Sequence, residues 1–428
     1  MSTIRIAILT IGNEILNGRT LNTNAHYLAR WANRFGIEVC RMCTVPDDKR
    51  AIHAALNDAY GCADWVICTG GLGPTTDDIT RQAIAEYFDL PLEYREDVQA
   101  RIEEFLQHFG IPFEAKHRSL CYVPQGAQVF FNRKGTAPAF LIDRGGRVLV
   151  ALPGVPIEMR HLVEDYLTPY VQERYGYRPL PSERILLAGV EEPEVHRRVE
   201  SLIVETATVI DWGFYPHYTT VEITLRMRPT TDVAYAEVEE HLRTLRYRIE
   251  ELFGADYVGS GDISLGRAAG AYLKQLGWYA GAAESCTGGY IAHLFTSDAG
   301  SSEYFKGAIV SYANAVKHEV LGVPVEAIQS EGAVSQSVVE AMVRGALQVL
   351  DVDVAVAVSG IAGPGGGTPE KPVGTVWIAV GDHSEMRSRR FHFPYDRLEN
   401  IEITAITAMD VLRRWCRARI YKSPLPWT

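Results

Sequence analysis

Three apolar runs, each ending in a cluster of glycines, constrain this chain more than any other feature: "ADWVICTGGLGP", "WYAGAAESCTGG" and "VDVAVAVSGIAGPGGG". Each run is too short to cross a bilayer, and a short continuous apolar stretch that stops at glycines reads as a strand buried on both faces. Such strands need helices on both sides, and the chain supplies them. From residue 1 to about 170, "RIAILTIG", "IEVCRMCTV", "ADWVICTGG" and "VLVALPG" alternate with the helical stretches "NTNAHYLARWANRFG", "DKRAIHAALNDAYG" and "ITRQAIAEYF". That order predicts an α/β domain with a parallel sheet between helix layers. Its glycine turns then fall at the carboxyl edge of the sheet, where open α/β folds bind ligands.

A chain of 428 residues exceeds what one core usually supports, so two or three domains are expected. Residues 171–258 read differently, as a small α+β module of "SERILLAGV", "EPEVHRRVESLI", "VEITLRMRP" and the charged helix "DVAYAEVEEHLRTLRYRIEELFG". "GADYVGSGDIS" reads as a linker. Residues 262–421 return to α/β with mixed strand directions, from the helix "SLGRAAGAYLKQLG" to the helix beginning near "DRLENIEITAITAMDVLRRW".

Composition narrows the class. The net charge of −11 is spread without a basic stripe, which argues against direct nucleic-acid binding. No stretch reads as a membrane span and "MSTIRIAILTIGNEI" has no basic leader or cleavage site, so a cytoplasmic protein is expected. Seven cysteines, an odd and scattered set, suit a reducing compartment rather than a disulfide framework. Cys40 and Cys43 form a C-x-x-C, but inside a strand pattern and without a second pair at zinc spacing.

"AESCTGG" (283–289) places Ser285, Cys286 and Thr287 where a strand gives way to a helix, so backbone N–H groups converge there. Neither the P-loop spacing nor the G-x-S-x-G elbow is present. A hydroxyl at this place can simply cap the helix. In "SYANAVKHEVLG", Tyr312 and Asn314 fall at a strand end and Lys317 in the first turn of the next helix. A desolvated lysine has a lowered pKa and can act as a general base, which makes a Ser285–Lys317 dyad the chemical reading; a solvated surface lysine is the bland one. Ser359, in the third glycine-rich turn, belongs at the same edge. Cys286 stays as the alternative nucleophile, since a thiol is intrinsically stronger.

The first region has its own constellation. "TGGLGPTTDD" joins glycines, which let backbone N–H groups cradle phosphate, to the carboxylates Asp77 and Asp78, which can recruit a divalent ion or position water. Capping of the following helix is the structural alternative for both. "TIGNEILNGRTLNTNA" adds Asn13, Glu14, Asn22 and Asn24; "NRKGTAP" and "LPGVPIEM" add Asn132, Gly135, Thr136, Pro153, Gly154 and Glu158.

"AESCTGG", "GAIVSYANAVKHEVLGV" and "VSGIAGPGGGTPEKPVGTVW" closely resemble the nicotinamide mononucleotide deamidases that form the carboxyl-terminal part of CinA proteins. "GNEILNGRTLNTNA" and "GGLGPTTDD" resemble the molybdopterin-binding fold and, more narrowly, the amino-terminal part of the same family. The resemblance implies two sites. One hydrolyses the amide of nicotinamide mononucleotide, with Ser285 as nucleophile, Lys317 as base and Tyr312 sharing or positioning the proton. Its substrate would lie among Thr287, Gly288, Gly289, Asn314, Ser359, Gly360, Gly363, Gly365 and Arg397. The other is an ADP-ribose pyrophosphatase, its acidic centre Asp77 and Asp78, its metal on Asp77, Asp78 and Glu158, and its substrate among Gly12, Asn13, Glu14, Asn24, Gly70, Gly71, Gly73, Asn132, Thr136 and Gly154. Magnesium, manganese or cobalt is the implied divalent ion, with potassium as a further candidate, and a homodimer is implied. Three departures from the family pattern stand out: Ile401 where an arginine is common four residues after Arg397, "KHRSLCYVP" in place of an Arg-Lys-Gln-Ala type string, and Ala139 where glycine is common. The reading of another class is a non-catalytic nucleotide- or pterin-binding protein associated with competence.

Overall fold

The computed structural model describes residues 4–427. The chain divides into two compact units between Leu180 and Pro181. In the first, a six-stranded sheet runs in the order Glu38–Val45, Arg5–Ile11, Trp65–Thr69, Arg147–Leu152, Ala139–Arg144, Gln128–Phe130. The first four strands are parallel, as the alternating pattern predicts. The last two are antiparallel, so the sheet is mixed rather than purely parallel. The cause is the sequence "DRGGR": Gly145 and Gly146 both take positive φ, +60° and +85°, the geometry of a two-residue hairpin turn, which reverses the chain where a crossover would have kept it parallel.

Side chains along Arg5–Ile11 alternate between two cores. Ala7, Leu9 and Ile11 pack with Ile52, Leu56 and Ile84 of the helices Lys49–Ala59 and Thr80–Tyr87. Ile6 and Ile8 pack with Leu28 and Trp31 of Thr23–Arg34 and with Met159 and Leu162 of Pro156–Leu162. The two-residue period sends neighbours to opposite faces, and each fully buried Ile or Leu contributes roughly 1.5–3 kcal/mol relative to an exposed one. Residues 171–180, with the helix Thr168–Tyr175, lie in this unit.

The second unit holds two sheets. One is antiparallel, ordered Ile210–His217, Thr220–Met227, Ser182–Ala188, Tyr257–Ser260. Its last strand lies inside the stretch expected as a linker: Tyr257 pairs with Leu187 and Ser260 with Ile185 across a bulge, because Tyr257-Val258 supply the β-prone pair that an otherwise Gly-rich sequence hides. The other sheet is ordered Phe305–Val310, Ala280–Glu284, Val354–Gly360, Thr375–Asp382, Met386–His392, three parallel strands followed by two antiparallel ones. The helices Leu265–Leu276 and Arg397–Tyr421 share the core on one face, and Gln336–Val349 covers the other.

Candidate active site

The strand Ala280–Glu284 is buried along its whole length. It delivers Ser285, itself 8% exposed, to a turn whose backbone is anchored by Ser285 N–H on Val358 O at 3.1 Å. Gly288 and Gly289 take φ +62° and +106°, a left-handed course that glycine adopts without the cost of a Cβ. What holds the turn is Glu284. Fully buried, its carboxylate accepts from the Thr287 hydroxyl at 2.7 Å and from the N–H groups of Gly289, Ile291 and Ala292 at 3.0, 3.1 and 2.9 Å. A carboxylate ending an apolar strand is the sequence signal for this residue.

Lys317 reaches the same turn from the helix Asn314–Glu319. It is 1% exposed, with Nζ 2.9 Å from Ser285 Oγ and 2.5 Å from the Ser311 carbonyl. Burial holds its pKa below the ordinary lysine value, since removing an ammonium from water favours the neutral amine. The bland reading of a solvated lysine is thereby excluded. Cys286 is disfavoured as nucleophile: its sulfur packs over Gly360, where an added Cβ would sit 2.9 Å away, and burial pushes the thiol up to about 12. A protonated, enclosed thiol is a poor nucleophile.

Other residues proposed for this site divide. Thr287 is committed to Glu284. Ser359, 1% exposed, donates to the Ala333 carbonyl at 2.7 Å, so its hydroxyl fastens the loop. Tyr312 makes no hydrogen bond to the dyad among the described residues; it is 62% exposed and accepts from Arg397 Nη2 at 2.9 Å. A proton-sharing role for it is not supported by this placement. Arg397 also donates to the Gly363 carbonyl at 2.5 Å, and the buried Asn400 donates to the Ala362 carbonyl at 3.1 Å. Together they moor the glycine-rich loop that carries Gly363 and Gly365. Asn314 is exposed at the start of the helix that carries Lys317.

In the first unit, Gly70 (φ +109°) lies so close to the neighbouring strand end that a Cβ would meet Ile11 O at 2.0 Å. A Cβ on Gly71 would meet Thr80 Oγ1, and one on Gly73 the Asp78 carboxylate. Thr75 Oγ1 lies 2.5 Å from both Asp77 Oδ1 and Asp78 Oδ2, and this contact holds Asp77 below the usual carboxylate range. Asp47, which no glycine motif marks in the sequence, accepts the Asn13 N–H at 3.0 Å. Burial raises its pKa, and the charges of Glu14, Asp77 and Asp78 add to the rise, so four carboxylates share this edge. Asn24, 6% exposed, donates to Thr69 Oγ1 at 3.0 Å and to the Gly154 carbonyl at 2.8 Å, while its Oδ1 has no partner. Asn22 caps its helix on Ala25 N–H. Gly12 N–H is taken by the Val45 carbonyl, and Thr136 is half-buried.

The expected metal set does not assemble. Glu158 lies against Gly135 and accepts from Asn132 Nδ2 at 2.6 Å, and burial raises its pKa. No interaction joins it to Asp77 or Asp78. Among the described residues no group of three or more His, Cys, Asp or Glu side chains is placed to hold a metal ion. Helix Pro156–Leu162 carries Glu158 toward the Asn132 loop instead.

Among the described residues no helix is long and apolar enough to cross a membrane. Residues 7–173 match the family model described as "Probable molybdopterin binding domain", and residues 263–416 match "CinA C-terminal domain". A CinA-like protein of Salinibacter ruber is 37% identical over 412 residues, covering 96% of this chain and 99% of that protein. A CinA-like protein of Gemmatimonas aurantiaca is 36% identical over 427 residues, 99% of each chain. A crystal structure of the protein CinA from Thermoplasma acidophilum aligns with 40% of this chain and 99% of its own, at 33% identity and a TM-score of 0.37.

Proposed function

The chain belongs to the CinA family, and from that premise we propose that its second unit hydrolyses the amide of nicotinamide mononucleotide through a Ser285–Lys317 dyad. One observation carries the chemistry: a lysine amine, buried and 2.9 Å from a serine hydroxyl at a glycine turn. A binding module gains nothing from that pair, whereas amide hydrolysis needs a base on its nucleophile. The nicotinamide mononucleotide assignment is the resemblance's contribution, and glycine turns suited to a phosphate are consistent with it.

In this mechanism neutral Lys317, oriented by the Ser311 carbonyl, takes the Ser285 proton as Oγ bonds to the carboxamide carbon. Thr287 N–H, which has no protein acceptor among the described residues, is a donor available to the developing oxyanion. The C–N bond breaks as Lys317 returns the proton to the leaving nitrogen, and ammonia departs. Water, deprotonated by the same amine, then releases nicotinate mononucleotide and restores Ser285. Ammonia release from nicotinamide mononucleotide by the full-length protein is the test. Ser285→Ala and Lys317→Met are each expected to lose on the order of 10³-fold or more in kcat/KM. Near-wild-type turnover in either variant removes the dyad; binding without turnover in the wild type leaves the non-catalytic reading.

For the first unit, we propose a nucleotide pyrophosphate site at the Gly70–Asp78 turn, with ADP-ribose as the substrate the resemblance implies. The orphaned Asn24 Oδ1 and the backbone crowding at Gly70 support a ligand-facing edge. The carboxylates present do not form a metal-holding group, so no step is assigned to a metal. ADP-ribose cleavage assayed with and without magnesium, manganese or cobalt, in the wild type and Asp78→Asn, tests both substrate and metal requirement.

A further inference from the structure

The C-x-x-C of the sequence is not a pair in the structure, and its first member has another partner. Cys40 lies on the edge strand Glu38–Val45, at a bulge: Ile6 pairs with Val39 and Ala7 with Arg41, so Cys40 is the extra residue. A bulge re-aims the side chain it carries. Here it brings Cys40 to the face that also holds Cys43 and the helix Lys49–Ala59. Cys43 stands three residues further along the strand, roughly 10 Å away at strand rise. Cys62, just beyond the end of that helix, brings its Sγ to 3.1 Å from Cys40 Sγ. Both thiols are free and neither is fully buried.

We propose that Cys40 and Cys62 form an intramolecular disulfide site that reacts with a two-electron oxidant of the hydroperoxide class. In the first step one thiol sulfur attacks the peroxide, its O–O bond breaks, and a sulfenic acid and one alcohol or water form. In the second, the other sulfur displaces the hydroxyl; the S–S bond forms, the S–O bond breaks and water leaves. Two thiols lose two electrons and two protons, and the peroxide gains them. The sulfurs must approach by about 1 Å to reach bonding distance, a shift within reach of a bulged edge strand and a residue just past a helix end. Burial and the Cys62 thiol push Cys40 up to about 11, so Cys40 stays protonated near neutral pH and its attack on the peroxide is slow. The bridge would join residues 22 apart and tie the edge strand to the helix.

The reduced full-length chain treated with hydrogen peroxide, alkylated and digested without reductant, tests this. The expected product is a Cys40–Cys62 cross-linked peptide with the intact mass lower by two hydrogens, reversed by a dithiol. Cys43→Ser should retain the cross-link, and Cys62→Ser should lose it and leave Cys40 as sulfenic or sulfinic acid. A Cys40–Cys43 link, a link lost in Cys43→Ser, or sulfinic acid at Cys40 in the wild type beside an alkylated Cys62 would each overturn the proposal.

Discussion

A lysine that is 1% exposed either keeps its proton against the cost of desolvation or gives it up, and at Lys317 burial favours giving it up. The dyad requires the neutral amine, so kcat/KM for ammonia release should rise with pH at a slope of about one. It should level off below the ordinary lysine value of 10.5. Lys317→Arg should stay inactive across the range, because a guanidinium does not deprotonate. Stability follows the same sign: the unfolded chain binds more protons than the folded one between the depressed value and about 10.5, so the wild type gains stability with pH in that window. Lys317→Met should not, and paired urea titrations at several pH values would show it. Glu284 is the second residue on which the site depends. Glu284→Gln replaces an acceptor of four donors with a group that points N–H at N–H, and a loss of about 2–4 kcal/mol is expected. Urea unfolding measures this loss, and deamidation should fall with it as the Ser285 turn loosens.

Among the elements, helix Gln336–Val349 shows where propensity and packing disagree. Gly345 sits in its interior, where alanine would ordinarily stabilise by about 1 kcal/mol. A Cβ there would lie 2.1 Å from the Leu321 carbonyl oxygen, and overpacking of that kind costs typically 1–3 kcal/mol. Gly345→Ala is therefore expected to lower the thermal midpoint, which calorimetry would read; an increase would show that the contact yields. The helix itself was legible from "SQSVVEAMVRGALQVL", and so were the buried strands, because apolar periodicity is a local property. Strand direction was legible only where a turn announced it, and for the antiparallel edge of the first sheet that turn is "DRGGR". Ser285 and Lys317 could be paired from the sequence because each sits beside a strand end of one sheet. The Thr75 contacts and the Arg397–Tyr312 bond could not, since each depends on loops whose paths no period describes.

At the scale of the second unit, the small antiparallel module and the five-stranded domain are joined through helix Arg397–Tyr421. Arg413, fully buried, donates to Asp410 Oδ1 at 2.6 Å and to the carbonyls of Ala255 and Tyr257 at 2.8 and 3.2 Å. Arg414 donates to Asp410 Oδ2 at 2.7 Å, to Asp256 at 2.9 Å and to the Ala188 carbonyl at 2.6 Å. Burial alone would raise Asp410, but Arg413 and Arg414 outweigh it and hold its pKa below the usual carboxylate value. Replacing such a network with apolar residues can be neutral, whereas removing one member strands the others' charge, at a cost of about 3–5 kcal/mol. Asp410→Asn should therefore destabilise the second unit strongly, while Asp410→Leu combined with Arg413→Met should recover part of the loss. The pH dependence separates charge from shape. Since Asp410 is depressed in the folded state, its contribution is complete above the unfolded value of 3.8 and disappears as pH falls through the lower, folded one. Acid titration of the wild type should show that loss and Asp410→Asn should lack it. If both curves fall alike, the junction is held by packing and backbone hydrogen bonds, and the buried charges only set which strand ends the helix faces.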